Sequence, residues 1–152
     1  MNEAAEFERI VREVDRVVAA LDGLSAPQLD WTPGPGANSV LVLAAHTVGA
    51  AERHVIVHVG GGTPSATRDS EFATQGSAAG VRGRWSDLRP RIIATLEGLD
   101  ASRLDRELPE LATRPSGERS ARAMLIHAVA HAAEHAGQAE LTRDLAKRTA
   151  PE

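Results

Sequence analysis

Four histidines of this chain have a spacing that could bind a metal ion. His127, His131 and His135 are spaced four residues apart, and His46 lies much earlier in the sequence. Residues four apart on an α-helix are displaced by only about 40° around its axis, so two such imidazoles can reach one ion at the roughly 2.0–2.1 Å typical of zinc. A third ligand must come from another element, and His46 is the best choice because its neighbours are apolar.

The residues around the terminal histidines make unpaired burial costly. The stretch HAVAHAAEHAGQ flanks each histidine with Ala or Gly, and Gln138 is the only other polar side chain on that stripe. A buried imidazole without a partner costs free energy, and a shared metal ion removes that cost. The pattern therefore favours a metal site of His46, His131 and His135 over a set of solvated histidines. His127 has two open interpretations: a partner that orients a ligand, or a residue at the pocket mouth.

The other two histidines and a second motif have different interpretations. His54 and His58, rotated from His46 by roughly 80° and 120° on a regular α-helix, are predicted to lie on the surface or rim. Residues 131–135 also fit the H-x-x-E-H signature of inverted zinc peptidases, with Glu134 as the general base. That class needs a further acidic ligand downstream, and Glu140 faces elsewhere, so we disfavour it.

The histidines lie on two of four segments with helical periodicity. Apolar residues recur at three- and four-residue steps, which is typical of amphipathic helices. The predicted helices span residues 2–21, 40–59 after a cap at Asn38 or Ser39, about 81–99, and 120–147. Pro90 predicts a kink in the third helix or a later start. Because no strand pattern occurs, we predict an all-α four-helix bundle, in one domain over residues 1–152.

The connections and the last helix complete this prediction. Residues 63–76 are interpreted as a mobile loop, and residues 100–117 as a polar loop. The inner stripe of the last helix is predicted to contain Met124, Ala128, His131, His135, Gln138, Leu141, Thr142 and Leu145.

The composition excludes several classes of protein. The net charge of -4, without a Lys/Arg cluster, indicates neither nucleic-acid nor membrane binding. There is no cysteine, so disulfides, thiolate metal sites and a cysteine nucleophile are excluded. The charged N-terminal residues do not resemble a signal peptide, and no run of 18 apolar residues occurs, so we expect a cytoplasmic protein.

The motifs around the histidines resemble those of the DinB-like superfamily. The stretch from Asn38 through His46 to Glu52 is similar to its second helix, and residues 127–138 followed by Arg143 are similar to its last helix. The resemblance implies an up-down-down-up bundle, with one metal ligand from the second helix and two from the last. By motif, these are His46, His131 and His135.

The same resemblance implies a function. The family is often homodimeric, and its characterised members are metal-dependent enzymes that use low-molecular-weight thiols such as mycothiol, bacillithiol or glutathione. They include S-transferases and a maleylpyruvate isomerase.

Three neutral imidazoles would leave a zinc, nickel, iron or copper ion with an open position, as in catalytic sites. We predict that the thiol binds there as thiolate and attacks a small electrophilic substrate. Arg143 at the pocket rim could bind a carboxylate of the thiol, and Glu134 could accept a hydrogen bond from a ligand imidazole; both also fit surface roles. A metal-dependent hydrolase and a non-catalytic metal-binding or stress-response protein are the alternatives.

Overall fold

Every secondary-structure element in the described part of the chain is a helix, as predicted. The computed structural model describes residues 3–109 and 119–150, where the only β-structure is an isolated bridge between Glu107 and Ser120. The elements are a 3₁₀-helix (Glu3–Glu8), α1 (Arg9–Ala19), α2 (Ala26–Asp30), α3 (Val40–Ala51), a π-helix (Glu52–Val59), α4 (Arg68–Phe72), α5 (Ala79–Glu97), α6 (Ala101–Leu104) and α7 (Ala121–Thr149). Helix α7 packs against α1, α3 and the π-helix, and α5 also packs against α1, α3 and the π-helix.

The first and second predicted helices form near their expected bounds. Residue 2, the predicted start of the first helix, lies outside the described part. The apolar residues predicted for the inner face of this helix, from Phe7 to Leu21, are buried. The Ser39 hydroxyl accepts the Val42 N–H at 3.2 Å and caps α3, as Ser does at helix N-termini. The helical segment ends at Val59, before three glycines.

The end of this second segment is not a regular α-helix. From Glu52 to Val59 it is a π-helix, in which hydrogen bonds close over five residues rather than four. The wider turns rotate successive side chains by less than 100° per residue. The angular positions predicted for His54 and His58 therefore do not apply.

Helices also form inside both predicted connections. Within residues 63–76, α4 begins after Thr67, whose hydroxyl accepts the Ser70 N–H at 3.3 Å. Within residues 100–117, α6 forms at Ala101–Leu104, and residues 110–117 of that prediction lie outside the described part.

Pro90 does not delay α5, which starts at Ala79 and continues through the proline to Glu97. The predicted later start of the third helix is therefore wrong. Pro90 is exposed, so its ring displaces no side chain of the core.

After Met124 and Leu125, the inner stripe of α7 consists mainly of alanines. Its buried positions include Ala128, Ala132, Ala136 and Ala139, whereas Gln138 and Leu141 are exposed, Leu141 by 60%. The predicted stripe was wrong at these two positions, because alanines occupy the line closest to α1 and α3. The histidines of α7 consequently lie at the edge of the buried stripe, where they can face both the interior and a solvent-accessible site.

One helical segment, Val40–Val59, is long and apolar enough to span a membrane by length and composition, with a mean hydropathy of 1.4. However, 78% of that window is buried against the rest of the protein, as in the core helix of a globular fold.

Candidate metal centre

His46 of α3 and His131 and His135 of α7 come together in the folded protein. One nitrogen from each ring lies within 4.8 Å of the others, and His46 Nε2 is 3.2 Å from His131 Nε2. Two nitrogens about 2.05 Å from a tetrahedral zinc ion would be separated by about 3.3 Å. The ring centroids lie 4.4–5.2 Å apart, and the ring planes stand at large angles to one another, 64°, 80° and 86°. These three residues could hold one metal ion.

The outer nitrogens of two of these rings have acceptors of their own. His46 Nδ1 lies 3.3 Å from Glu71 Oε2, and His135 Nδ1 lies 2.7 Å from Gln138 Oε1. Because an oxygen acceptor requires the proton on Nδ1, each contact favours the tautomer whose Nε2 lone pair is free. Metal-bound histidines commonly have such a carboxylate or carbonyl partner. The donor set therefore fits a divalent ion by its chemistry as well as by its spacing.

Glu71 belongs to a buried network of four charges. Its carboxylate pairs with both terminal nitrogens of Arg53, with Nη2 at 3.1 Å from Oε2, and with Arg84 Nη1 at 3.6 Å. Glu52 accepts from Arg84 Nη2 at 2.7 Å and from the Ser65 N–H and hydroxyl, each at 3.0 Å. The side chains of Glu52 and Glu71 are 0% and 1% exposed. Two guanidinium groups thus balance two fully buried carboxylates beside the histidines, as buried charges require.

The environment of Glu71 keeps it ionised. Burial alone would raise the pKa of this carboxyl group, but the hydrogen bonds with His46 and Arg53 and the charges of Arg53 and Arg84 together lower it. Glu71 also lies where α3 has no side chain: a Cβ at Gly49 would overlap its carboxylate. The glycine in an otherwise apolar helix therefore provides the space that the acidic group occupies.

Sequence reasoning missed Glu71 because residues 63–76 were interpreted as a loop, and it missed Arg53 and Arg84 because their partner Glu71 belongs to a different element. A signal was present: Thr67 is a good N-cap, and Asp69 and Glu71 are acidic residues in the first turn that follows. This pattern is typical of a helix start.

A second group of histidines adjoins the first. His54 of the π-helix lies 5.0 Å from His127 and 5.7 Å from His131 between ring centroids, and 6.4 Å from His58. His54 Nδ1 is buried without a hydrogen-bond partner among the described residues. His54 is half-buried and turned toward α7, so the surface alternative of the prediction is wrong for it, and His58 is half-buried as well. His127 is exposed, and its ring lies 5.0 Å from that of His54 and 6.0 Å from that of His131.

Burial lowers the pKa of His54 and of His131 to about 3, and repulsion from the neighbouring histidines and Arg53 adds to this effect. Both rings are consequently neutral near pH 7. A neutral imidazole is the form that a metal ion binds.

We expect the metal-free protein to lose stability between pH 7.5 and pH 5. The pKa of His54 is about 3 in the folded protein, against an ordinary value of 6.5, so the unfolded chain binds more protons in this range and acidification favours it. His54, which faces His58, His127, His131 and Arg53, would alone contribute up to about 2 kcal/mol at pH 5. Urea unfolding at both pH values should show a smaller loss for His54→Leu than for the wild type. An equal loss would contradict the assignment.

One side of the triad is bordered by α4. The Phe72 ring packs on His46 at 5.0 Å between centroids and is 42% exposed. The Arg68 guanidinium lies 5.6 Å from the centre of the Phe72 ring and makes no ion pair with any residue that the structure describes. A solvent-accessible apolar surface and a cation thus stand next to His46.

The remaining residues singled out from the sequence lie further along α7. Glu134 and Gln138 are both exposed, and Gln138 Nε2 donates to Glu134 Oε1 at 3.4 Å while Gln138 Oε1 contacts His135. Arg143 pairs with Asp144, with Nη2 at 2.7 Å from Oδ1. Glu140, which the peptidase interpretation would have needed, pairs with Arg16.

Comparisons with known proteins identify relatives of this chain. A family model described as the DinB superfamily matches residues 9–139. A solved structure, a conserved protein from Enterococcus faecalis, superposes with a TM-score of 0.69 and 18% identity, over 95% of this chain and 96% of its own. At that identity the similarity concerns the fold alone. No curated protein matches the chain.

Proposed function

This chain belongs to the DinB superfamily, and on that premise we propose that it is a metal-dependent thiol S-transferase. His46, His131 and His135 would hold one divalent ion, such as zinc, nickel or iron, through their Nε2 atoms. The observation that carries the metal site is the pairing of Nδ1 on His46 and His135 with side-chain oxygens, which favours a free lone pair on Nε2 of both rings. Nε2 of His46 also lies 3.2 Å from Nε2 of His131. A three-histidine donor set is typical of catalytic sites with an open position.

The surrounding residues would serve the transfer of a thiol. A divalent ion in this site supplies a Lewis acid that favours the thiolate form of a thiol. Phe72 offers an apolar face to the bound molecules, and Arg68 can form a charge-assisted hydrogen bond with a carboxylate. In the reaction the sulfur forms a bond to an electrophilic carbon, the thiol proton passes to solvent, and the leaving group departs with its bonding electron pair.

Cobalt-loaded protein tests this proposal directly. We expect mycothiol, bacillithiol or glutathione to produce a sulfur-to-cobalt charge-transfer band in the near ultraviolet, and His135→Ala to abolish it. Consumption of the same thiol with a model electrophile would then establish the reaction. Metal binding without any thiol response would overturn the transferase proposal. In that case hydrolysis of esters in the absence of thiol would favour a hydrolase, and no reaction at all would favour a non-catalytic metal protein.

The same titration distinguishes two arginines. For glutathione, which carries carboxylates, we expect Arg68→Ala to raise the apparent Kd by about tenfold, since charged hydrogen bonds contribute about 1.5–3 kcal/mol. Arg143→Ala is the matched control and should change the Kd little, because Arg143 is already paired with Asp144. The opposite ranking would assign the carboxylate to Arg143.

We further propose that α1, α3 with the π-helix, α5 and α7 form a single-domain bundle with up-down-down-up topology. The contacts of α7 with α1 and α3, and of α5 with α3, support this arrangement. A homodimer and a cytoplasmic location are part of the same proposal and rest on the family resemblance.

A further inference from the structure

We infer that Glu71 is a positioning residue: its carboxylate accepts the Nδ1–H of His46 and thereby holds the Nε2 lone pair of His46 toward His131 and His135. The inference concerns the same site as the proposed function. It starts from an acidic side chain that is not one of the three converging ligands, lies 25 residues away from His46 in the sequence and is fully buried.

The two carboxylate oxygens of Glu71 have different partners. Oε1 pairs with Arg53 Nη1 and faces Arg84 Nη1, whereas Oε2 is shared between Arg53 Nη2 and His46 Nδ1. A bidentate arginine already compensates a buried carboxylate. The contact with His46 is therefore additional to what the burial of Glu71 needs.

Glu52, the other buried acid of the network, has no histidine partner among the residues that the structure describes and serves as a comparison for Glu71. Glu52 is as buried as Glu71 and also pairs with Arg84, but its remaining contacts are with the N–H and hydroxyl of Ser65. Glu52 thus connects the π-helix to α5 and to the loop between the π-helix and α4. Of these two acids, Glu71 is the one in contact with a residue of the triad.

The chain also makes room for Glu71 at a cost. Glycine in a helix interior is less favourable than alanine by about 0.8–1.0 kcal/mol. Gly49, three residues after His46 on the same helix, is the position where a Cβ would overlap the Glu71 carboxylate. Gly49 therefore makes α3 locally less stable, and it leaves the space in which the Glu71 carboxylate lies beside His46.

The consequence for His46 follows from its tautomers. A neutral imidazole has one N–H, and Glu71 favours that proton on Nδ1, so that Nε2 is the lone-pair nitrogen. Without the carboxylate, the ring could carry its proton on Nε2 and could turn about its side-chain torsions. Removing such an outer partner typically lowers metal affinity by 10–100-fold.

Two measurements on Glu71→Gln and Glu52→Gln test the inference. The first is the tautomer of His46 in metal-free protein, from the ¹⁵N shifts of its ring nitrogens. We expect Nδ1–H in the wild type and in Glu52→Gln, and a mixture or Nε2–H in Glu71→Gln. The second is zinc affinity by chelator competition, which should fall 10–100-fold for Glu71→Gln and stay near the wild-type value for Glu52→Gln. Because both variants remove one buried charge, a purely structural role would affect them alike.

The outcomes separate this inference from the proposed function. An Nε2–H tautomer of His46 in the wild type, or equal zinc affinity in the wild type and both variants, overturns the role of Glu71. A wild-type protein that binds no zinc overturns the proposed function, while the tautomer measurement still decides the role of Glu71. If Glu71→Gln does not fold, Glu71→Asp retains the charge opposite Arg53 but shortens the reach to His46, and the same tautomer change is expected.

Discussion

Replacing His131 by alanine is expected to remove bound metal from the protein, whereas replacing His127, one turn earlier on the same helix, is not. His131 Nε2 lies 3.2 Å from His46 Nε2 and belongs to the convergent set. Loss of one of three ligands should lower the affinity by more than the 10–100-fold that outer partners typically contribute. Elemental analysis of tag-free protein should find about one zinc, nickel or iron ion per chain in the wild type and almost none in His131→Ala.

His127→Ala is the matched control for this experiment. The two substitutions remove the same group from the same helix, but His127 is exposed and packs on His54. The control should keep its metal and its stabilisation by metal, which is about 2.7 kcal/mol when the free ion is at 100 times Kd. Equal metal content in the wild type and His131→Ala, even after incubation with these metals, would refute the triad. A loss in His127→Ala would place the ion closer to the second histidine group.

The helices and the shared face of His131 and His135 could be predicted because they depend on short-range regularities. The meeting of His46 with this pair joins two elements and was predicted from its apolar neighbours together with the family resemblance. A spacing of four residues places His131 and His135 on one face of any α-helix, and the apolar surroundings of His46 direct it inward. The cap of the second helix at Asn38 or Ser39 follows from the same local logic, and the Ser39 hydroxyl accepts the Val42 N–H.

The features that could not be predicted depend on departures from regular geometry or on distant pairing. The position of His54 could not be predicted, because it depends on the change from α-helix to π-helix after Ala51 and no residue type in the sequence indicates that change. The contact of Glu71 with His46 joins residues of different elements, and its arginine partners come from two more. Helical periodicity alone also cannot tell a wide apolar face from a narrow one. It therefore assigned Gln138 and Leu141 to the interior and left out Ala132, Ala136 and Ala139.

Gly49→Ala is expected to destabilise the protein, although alanine is the better helix former. The substitution gains up to about 1 kcal/mol of helix propensity. Against this, the new Cβ would occupy the position of Glu71 Oε1 and force the carboxylate away from Arg53 and His46. Breaking a buried ion pair costs about 3–5 kcal/mol, so the loss wins and the net destabilisation should be roughly 2–4 kcal/mol.

Gly83→Ala in α5 is the matched control for this balance. Gly83 is also inside a helix, but it is exposed, and a Cβ there would meet no other atom within 4 Å. Only the propensity gain remains, so Gly83→Ala should be stabilised by up to about 1 kcal/mol. Urea unfolding of both metal-free variants measures the two effects separately. Equal or greater stability of Gly49→Ala relative to the wild type would show that Glu71 does not need the space at Gly49, and would remove the reason for a glycine three residues after His46.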